Sequence, residues 1–291
     1  MFVQTEALPS FLAEAPRLGR EISVTGKWVP TKPDGLFRKS VESKEMRREW
    51  EDIHLDARND KGVLSTEINH AVGENAVLVH HVFQDAPALV HYFSTTATQH
   101  MGALTRVAKP ELHLVRGVNI PTSLREAMLA KNVPAMFGEH IYGYVKEDYQ
   151  RPNPKTAIMV TAKWTCKPGI ENHIDELKYW WQRVGTEAHS LEKGLLRFEA
   201  YKVIGEDALI IHETFSNTSE LRFHLSKGTA EKYKKDIDKI AVPEAYFFRG
   251  PVSWDIRTYS KFLGLPATYS SQGSHFTRSG GSMSDGIVQE S

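Results

Sequence analysis

Four short stretches of this sequence occur twice, in the same order. Thr25-Gly26-Lys27-Trp28 returns as Thr161-Ala162-Lys163-Trp164, and Lys61-Gly62-Val63-Leu64 as Lys193-Gly194-Leu195-Leu196. AVLVHHVF at 76–83 returns as ALIIHETF at 208–215, and Pro110-Glu111 with Arg116-Gly117 as Pro243-Glu244 with Arg249-Gly250. The offset is 136 at the first match and 132 to 133 afterwards. One match of this length would be chance, but four collinear ones point to a duplicated supersecondary unit.

Each copy reads alike. A strand is expected over about 22–30 and again over 157–166. An amphipathic helix follows, since Ile170, Ile174, Leu177, Trp181, Val184, Ala188 and Leu191 recur at steps of three and four. Phe37, Val41, Met46, Trp50, Ile53 and Ala57 form the corresponding stripe in the first copy. A glycine (Gly62, Gly194) then leads into two strand-like runs joined by Gly73-Glu74-Asn75 or Gly205-Glu206-Asp207, each pair a hairpin. A second helix is expected to open at Asp85 and at Asn217, whose side chains suit a helix N-cap. Strands at 110–117 and 243–250 close the copies.

The order β-α-β-β-α-β, twice, predicts an α+β fold of two ferredoxin-like repeats. It leaves one apolar sheet face per copy without helices. At about 25 cal/mol per Å² that face calls for burial, and the other copy can supply it. The expected architecture is therefore an intrachain pseudo-dimeric α+β barrel. Its expected parts are a poorly ordered N-terminal extension (1–20), a first repeat (21–118) and a linker with a short helix (119–156). A second repeat (157–265) and a disordered Ser/Gly-rich tail (266–291) complete it.

Composition excludes several function classes. Lys plus Arg number 36 and Asp plus Glu 36, so there is no basic excess of the kind a nucleic-acid or anionic-membrane surface needs. One cysteine, Cys166, rules out an intrachain disulfide and a cysteine-built metal site. No run approaches about 18 apolar residues, and the N-terminus makes a poor signal peptide, so a cytoplasmic protein is expected. Zinc-binding H-E-x-x-H, a P-loop, G-x-G-x-x-G and G-x-S-x-G are all missing from the sequence. The reading thus calls for no metal and no cofactor.

The second copy resembles the antibiotic biosynthesis monooxygenase (ABM) family of dimeric α+β barrel proteins. The residues carrying this are Glu213, Phe215-Ser216-Asn217, Leu221 and His224, after Gly194-Leu195-Leu196-Arg197-Phe198-Glu199. The first copy resembles it less, with His81 in place of Glu213 and a helix histidine, His91, one residue off. The resemblance covers about 22–118 and 157–250. It implies a pocket between sheet and helices and, in some members, oxidation of aromatic molecules by oxygen without metal or flavin. Heme-degrading members carry a first-strand asparagine. Here Thr25 and Thr161 stand in that region, which speaks against heme.

Candidate catalytic residues are His224, His212 and Glu213. An imidazole can take a proton from a phenol or hydroquinone, and a carboxylate can orient it. Trp164, Trp181, Phe198 and Lys163 are candidates for substrate binding, the rings as flat walls and the lysine as a counter-charge to an enolate or phenolate. His80, equivalent to His212, reads more readily as a strand histidine hydrogen-bonded across the sheet. The expected partner is a small aromatic substrate, with neither nucleic acid nor membrane, and a homodimer is allowed. The leading function is a cofactor-independent monooxygenase. The alternatives are a non-catalytic ligand-binding or scaffold protein, and an isomerase, lyase or cyclase using the same pocket.

Overall fold

In the computed structural model, the residues described are 20–32, 40–130, 132–146, 155–169, 173–270 and 274–277. They form two compact units. One comprises Gly138–Tyr269; the other runs up to Phe137 and also takes in Ser270 and the strand Ser274–Thr277.

The first repeat runs β1 (Ile22–Pro30), α1 (Val41–Ala57), β2 (Val63–His70), β3 (Val77–Phe83), α2 (Ala86–Ser94), α3 (Thr96–Val107) and β4 (Ala108–Gly117). The second runs β6 (Ile158–Cys166), α5 (His173–Leu191), β7 (Leu195–Val203), β8 (Ala208–Phe215), α6 (Thr218–Ser226), α7 (Thr229–Ile240) and β9 (Ala241–Arg249). In each sheet the first strand lies between the third and the last, antiparallel to both, and the second strand pairs with the third. This is the ferredoxin-like order. The hairpin glycines Gly73 and Gly205 both sit at φ 82°, a left-handed conformation that a side chain would strain.

The helix expected after β3 is two helices in each copy, broken at Thr95 and at Lys227-Gly228. Asp85 and Asn217 cap the first of them, accepting from Ala88 N at 2.8 Å and Glu220 N at 3.1 Å. The long helices bury Met46, Trp50, Ile53 and Ala57, and Leu177, Trp181, Val184 and Ala188. The expected stripes overreach at their ends. Val41 and Leu191, terminal residues of α1 and α5, are each 67% exposed, while Phe37 and Ile170 lie outside the described residues.

The repeat is longer than four strands. The stretch expected as a linker holds α4 (Thr122–Ala130) and β5 (Ala135–Val145), and the second copy answers with α8 (Trp254–Phe262) and β10 (Ala267–Tyr269). The turns between them match. Asn132 (φ 54°) and Gly264 (φ 70°) are both left-handed, and His113 N donates to Pro134 O as Tyr246 N donates to Pro266 O. The sequence carries the match as Asn132-Val133-Pro134-Ala135 and Gly264-Leu265-Pro266-Ala267.

From Gly138 onward β5 pairs antiparallel with β7, and β11 (Ser274–Thr277) pairs in the equivalent register with β2. The tail expected from 266 therefore begins with ordered strand, because the edges of β9 and β2 offer unpaired backbone groups that it satisfies. Residues 1–19, the Arg151-Pro152-Asn153-Pro154 segment and 278–291 lie outside the described residues.

Candidate functional site

Strand alternation sorts the candidates onto two faces of the second sheet. Val160 pairs with Glu213 and Thr161 with His212, so Glu213 and His212 point opposite ways. Glu213 faces the helices together with Val160, Trp164 and, from β9, Tyr246 and Phe248. A register shift between Lys163 and Trp164 breaks the pairing with β9 at this point, and its counterpart lies between Lys27 and Trp28.

On this face lies a cavity of about 40 Å³. Its aromatic wall is Trp164, Trp181, Tyr246 and Phe248, and Glu213 and His224 bring carboxylate and imidazole. Ala230, Glu231 and Lys234 of α7, with Leu263 and Leu265 beside the α8–β10 turn, also belong to the lining. Trp164 and Trp181 meet edge to face at 5.5 Å. The Trp181 indole N–H is buried without a hydrogen-bond partner.

The charged centre has three members. His224 Nε2 lies 3.1 Å from Glu213 Oε1, an ion-pair contact whose angle falls short of hydrogen-bond alignment. His224 Nδ1 is 2.7 Å from Glu192 Oε2, and Glu192 Oε1 accepts from Thr229 N at 2.6 Å and Thr229 Oγ1 at 2.7 Å. All three are buried: His224 is 1% exposed, Glu192 2% and Glu213 6%. Burial alone would push the imidazole pKa down, but Glu213 and Glu192 more than offset it and hold His224 up to about 10. Burial would likewise raise Glu192, yet the bonds from His224 and Thr229 hold it down to about 2. His224 is thus an imidazolium at neutral pH. It already carries the proton that a general base would have to accept.

The remaining candidates lie elsewhere. His212 Nδ1 is 3.0 Å from Thr161 Oγ1 on the opposite face, and His80 repeats this with Thr25 at 2.9 Å. Lys163 Nζ is held by Glu206 and Glu244, both at 2.7 Å, as Lys27 is held by Glu74 and Glu111. Its charge is therefore already matched. Phe198 does not line the cavity; it stacks on Trp181 at 6.3 Å.

The first repeat places different chemistry at the same positions. His81 faces Val24 as Glu213 faces Val160, and Tyr92 stands seven residues after N-cap Asp85 as His224 stands seven after Asn217. Asp60 takes the place of Glu192, accepting from Thr96 Oγ1 at 3.2 Å, and Gly62 N donates to it at 3.0 Å. Burial, reinforced by neighbouring His54 and His113, lowers His81 to about 3, and burial lowers His113 to about 4. Both are neutral. Trp28 Nε1 donates to His113 Nε2 at 3.0 Å, which assigns the His113 proton to Nδ1. The cavity among these residues is about 10 Å³, against about 40 Å³ in the second repeat.

No protein-family model matches this chain, and no curated protein does. Solved structures do. A candidate monooxygenase from Fusobacterium nucleatum shares 11% identity over 89% of this chain and 98% of its own, with a TM-score of 0.51. A candidate monooxygenase from Lactobacillus acidophilus shares 13% over 77% and 91%, with a TM-score of 0.47. The cofactor-independent oxygenase SnoaB from Streptomyces nogalater shares 11% over 35% of this chain and 97% of its own, with a TM-score of 0.28. At these identities the likeness is one of fold. The chain has an α+β fold of two ferredoxin-like repeats, shared with the Fusobacterium nucleatum structure. Among the described residues no helix is long and apolar enough to cross a membrane.

Proposed function

We propose that the chain is a small-molecule oxygenase of the ABM type, acting without a cofactor on a phenolic or hydroquinone-like aromatic in the second-repeat cavity. One observation carries this reading: an aromatic-walled cavity in whose lining the Glu213 carboxylate and the His224 imidazolium lie 3.1 Å apart. The candidate monooxygenase that shares the fold is consistent with it.

Proton abstraction belongs to Glu213, because His224 is held protonated. As the substrate anion forms, the adjacent imidazolium offsets its charge, and the closed aromatic wall keeps water from quenching it. The anion passes one electron to dioxygen, and the radical pair joins in a carbon–oxygen bond. The peroxide anion takes back the proton held on Glu213, and the hydroperoxide then breaks its O–O bond, losing the distal OH with the hydrogen of the oxygenated carbon as water to leave a quinone. Oxygen is the oxidant, and no other electron donor is needed.

At about 40 Å³ the cavity holds little more than one water as it stands. Substrate therefore displaces its cover, the Leu263 and Leu265 turn and the Ala230–Lys234 face of α7. The tighter first repeat fits the scaffold reading for that half alone. Oxygen uptake with a panel of hydroquinones and anthrone-like phenols tests the proposal. Uptake abolished by Glu213→Gln and retained by His212→Gln is the expected result. Uptake that survives Glu213→Gln, or a folded chain inert to every member of the panel, overturns it.

A further inference from the structure

The sequence pattern drew attention to Glu213 and His224 but not to the residue that orients them. We propose that Glu192, at the junction of α5 and β7 and outside the cavity lining, is the positioning residue of the second-repeat site. It fixes the His224 ring and keeps its Nε2 edge beside Glu213. This rests on the reading of that cavity as the reactive site.

The geometry is specific. One carboxylate oxygen of Glu192 accepts a hydrogen bond from His224 Nδ1 at 2.7 Å, and the other accepts two from Thr229, from its N at 2.6 Å and its Oγ1 at 2.7 Å. Glu192 is itself anchored, because its backbone N donates to Ala188 O and its carbonyl accepts from Leu195 N. With Nδ1 engaged, Nε2 can only turn toward β8, where Glu213 stands 3.1 Å away. The backbone leaves room for nothing more. A Cβ on Gly228 would lie 2.6 Å from Glu192 Oε1 and 2.7 Å from the His224 Cα.

The first repeat supplies an internal comparison. There the same junction carries Asp60, one methylene shorter, and the threonine opening the next helix still donates to it. The residue at the His224 position is Tyr92, whose hydroxyl is buried without a hydrogen-bond partner. The carboxylate–threonine anchor is thus common to both copies, and the longer side chain accompanies an imidazole to be held. Charged or titratable groups around His224 are Glu192, Glu213 on β8, Tyr144 on β5, Tyr246 on β9, and Glu231 and Lys234 on α7. Of these, Glu192 is the one hydrogen-bonded to the ring with good geometry.

The test is an NMR titration of the His224 ring nitrogens in the full-length chain, which needs no substrate. In the wild type both nitrogens should stay protonated at pH 7. In Glu192→Gln, which keeps the shape and removes the charge, the midpoint should fall by about 1–3 pH units. Thr229→Val, removing one of the anchoring bonds, should lower it in the same direction. Glu187→Gln, an acid of α5 paired with Lys232, should leave it unchanged. A neutral His224 in the wild type at pH 7 would overturn the proposal without any variant having to fold, and so would a wild-type midpoint in folded Glu192→Gln. Where turnover is measurable, Glu192→Gln should lower kcat while KM holds. A chain with the expected titration but no oxygen uptake would sink the oxygenase reading alone. A chain that turns over, with Glu192→Gln titrating like wild type, would sink the positioning role alone.

Discussion

Replacing His224 by glutamine should produce a stability penalty that depends on pH in a defined way. His224 is raised from its ordinary 6.5 to about 10 in the fold, so its contribution is complete below pH 6.5 and is lost as pH rises through 10. Glu192 is lowered from 4.5 to about 2, so its contribution is complete above pH 4.5 and is lost as pH falls toward 2. The two windows overlap between pH 4.5 and 6.5. Removing one partner of a buried charge cluster there costs about 3–5 kcal/mol, because it leaves carboxylates buried without their counter-charge. Above pH 6.5 the wild type gives up about 1.4 kcal/mol per pH unit of this advantage, so by pH 9 the gap should narrow by about 3 kcal/mol. Urea unfolding of wild type and His224→Gln between pH 5 and 9 measures it. Tryptophan fluorescence is the probe, and the transition of the Gly138–Tyr269 unit is followed separately because two compact units need not unfold together. A penalty that stays flat from pH 5 to 9 would mean that His224 is packed as a neutral ring, and the charge argument would fail.

Three further outcomes follow from the same contacts. His81 and His113, lowered to about 3 and about 4, should keep neutral ring signals down to pH 5 by NMR, and the stability they confer should fall as pH drops from 6.5 toward those values. Gly194→Ala would set a Cβ 2.0 Å from Glu220 Cγ and 2.5 Å from its Cβ, so thermal unfolding should show a loss of about 1–3 kcal/mol, with Gly73→Ala acting instead through its left-handed φ. Lys163→Met should leave oxygen uptake in place, since Lys163 serves Glu206 and Glu244 rather than the cavity, and should cost stability on the order of 1 kcal/mol in urea unfolding.

Much of the scaffold could be read from residue pattern. The hairpin glycines, the caps Asp85 and Asn217 and the apolar stripes each encode local geometry, and local geometry is what a single sequence displays best. The short helix expected between the copies is α4, whereas β5 and the α8–β10 extension are marked only by a brief turn match, Asn132-Val133-Pro134-Ala135 against Gly264-Leu265-Pro266-Ala267. The site was legible only in part. Glu213 and His224 are eleven residues apart around one corner, a spacing that sequence alone can weigh. Glu192 reaches His224 across 32 residues, and at the end of a charged helix it reads as a solvated acid. A signal was nevertheless present, since Asp60-Lys61-Gly62 aligns with Glu192-Lys193-Gly194 and marks an acid retained at one corner of both copies. The protonation of His224 could not have been read at all, because it depends on three side chains converging in a buried space.

The central claim is that ligand engages the second repeat and not the first. Hydrogen–deuterium exchange of the full-length chain, with and without a hydroquinone-like aromatic, tests it most directly. Protection should gather in peptides covering 221–240 and 263–265, the α6–α7 segment and the turn that cover the cavity. Protection centred instead on 53–107, or an unchanged exchange map at saturating ligand, would contradict the account.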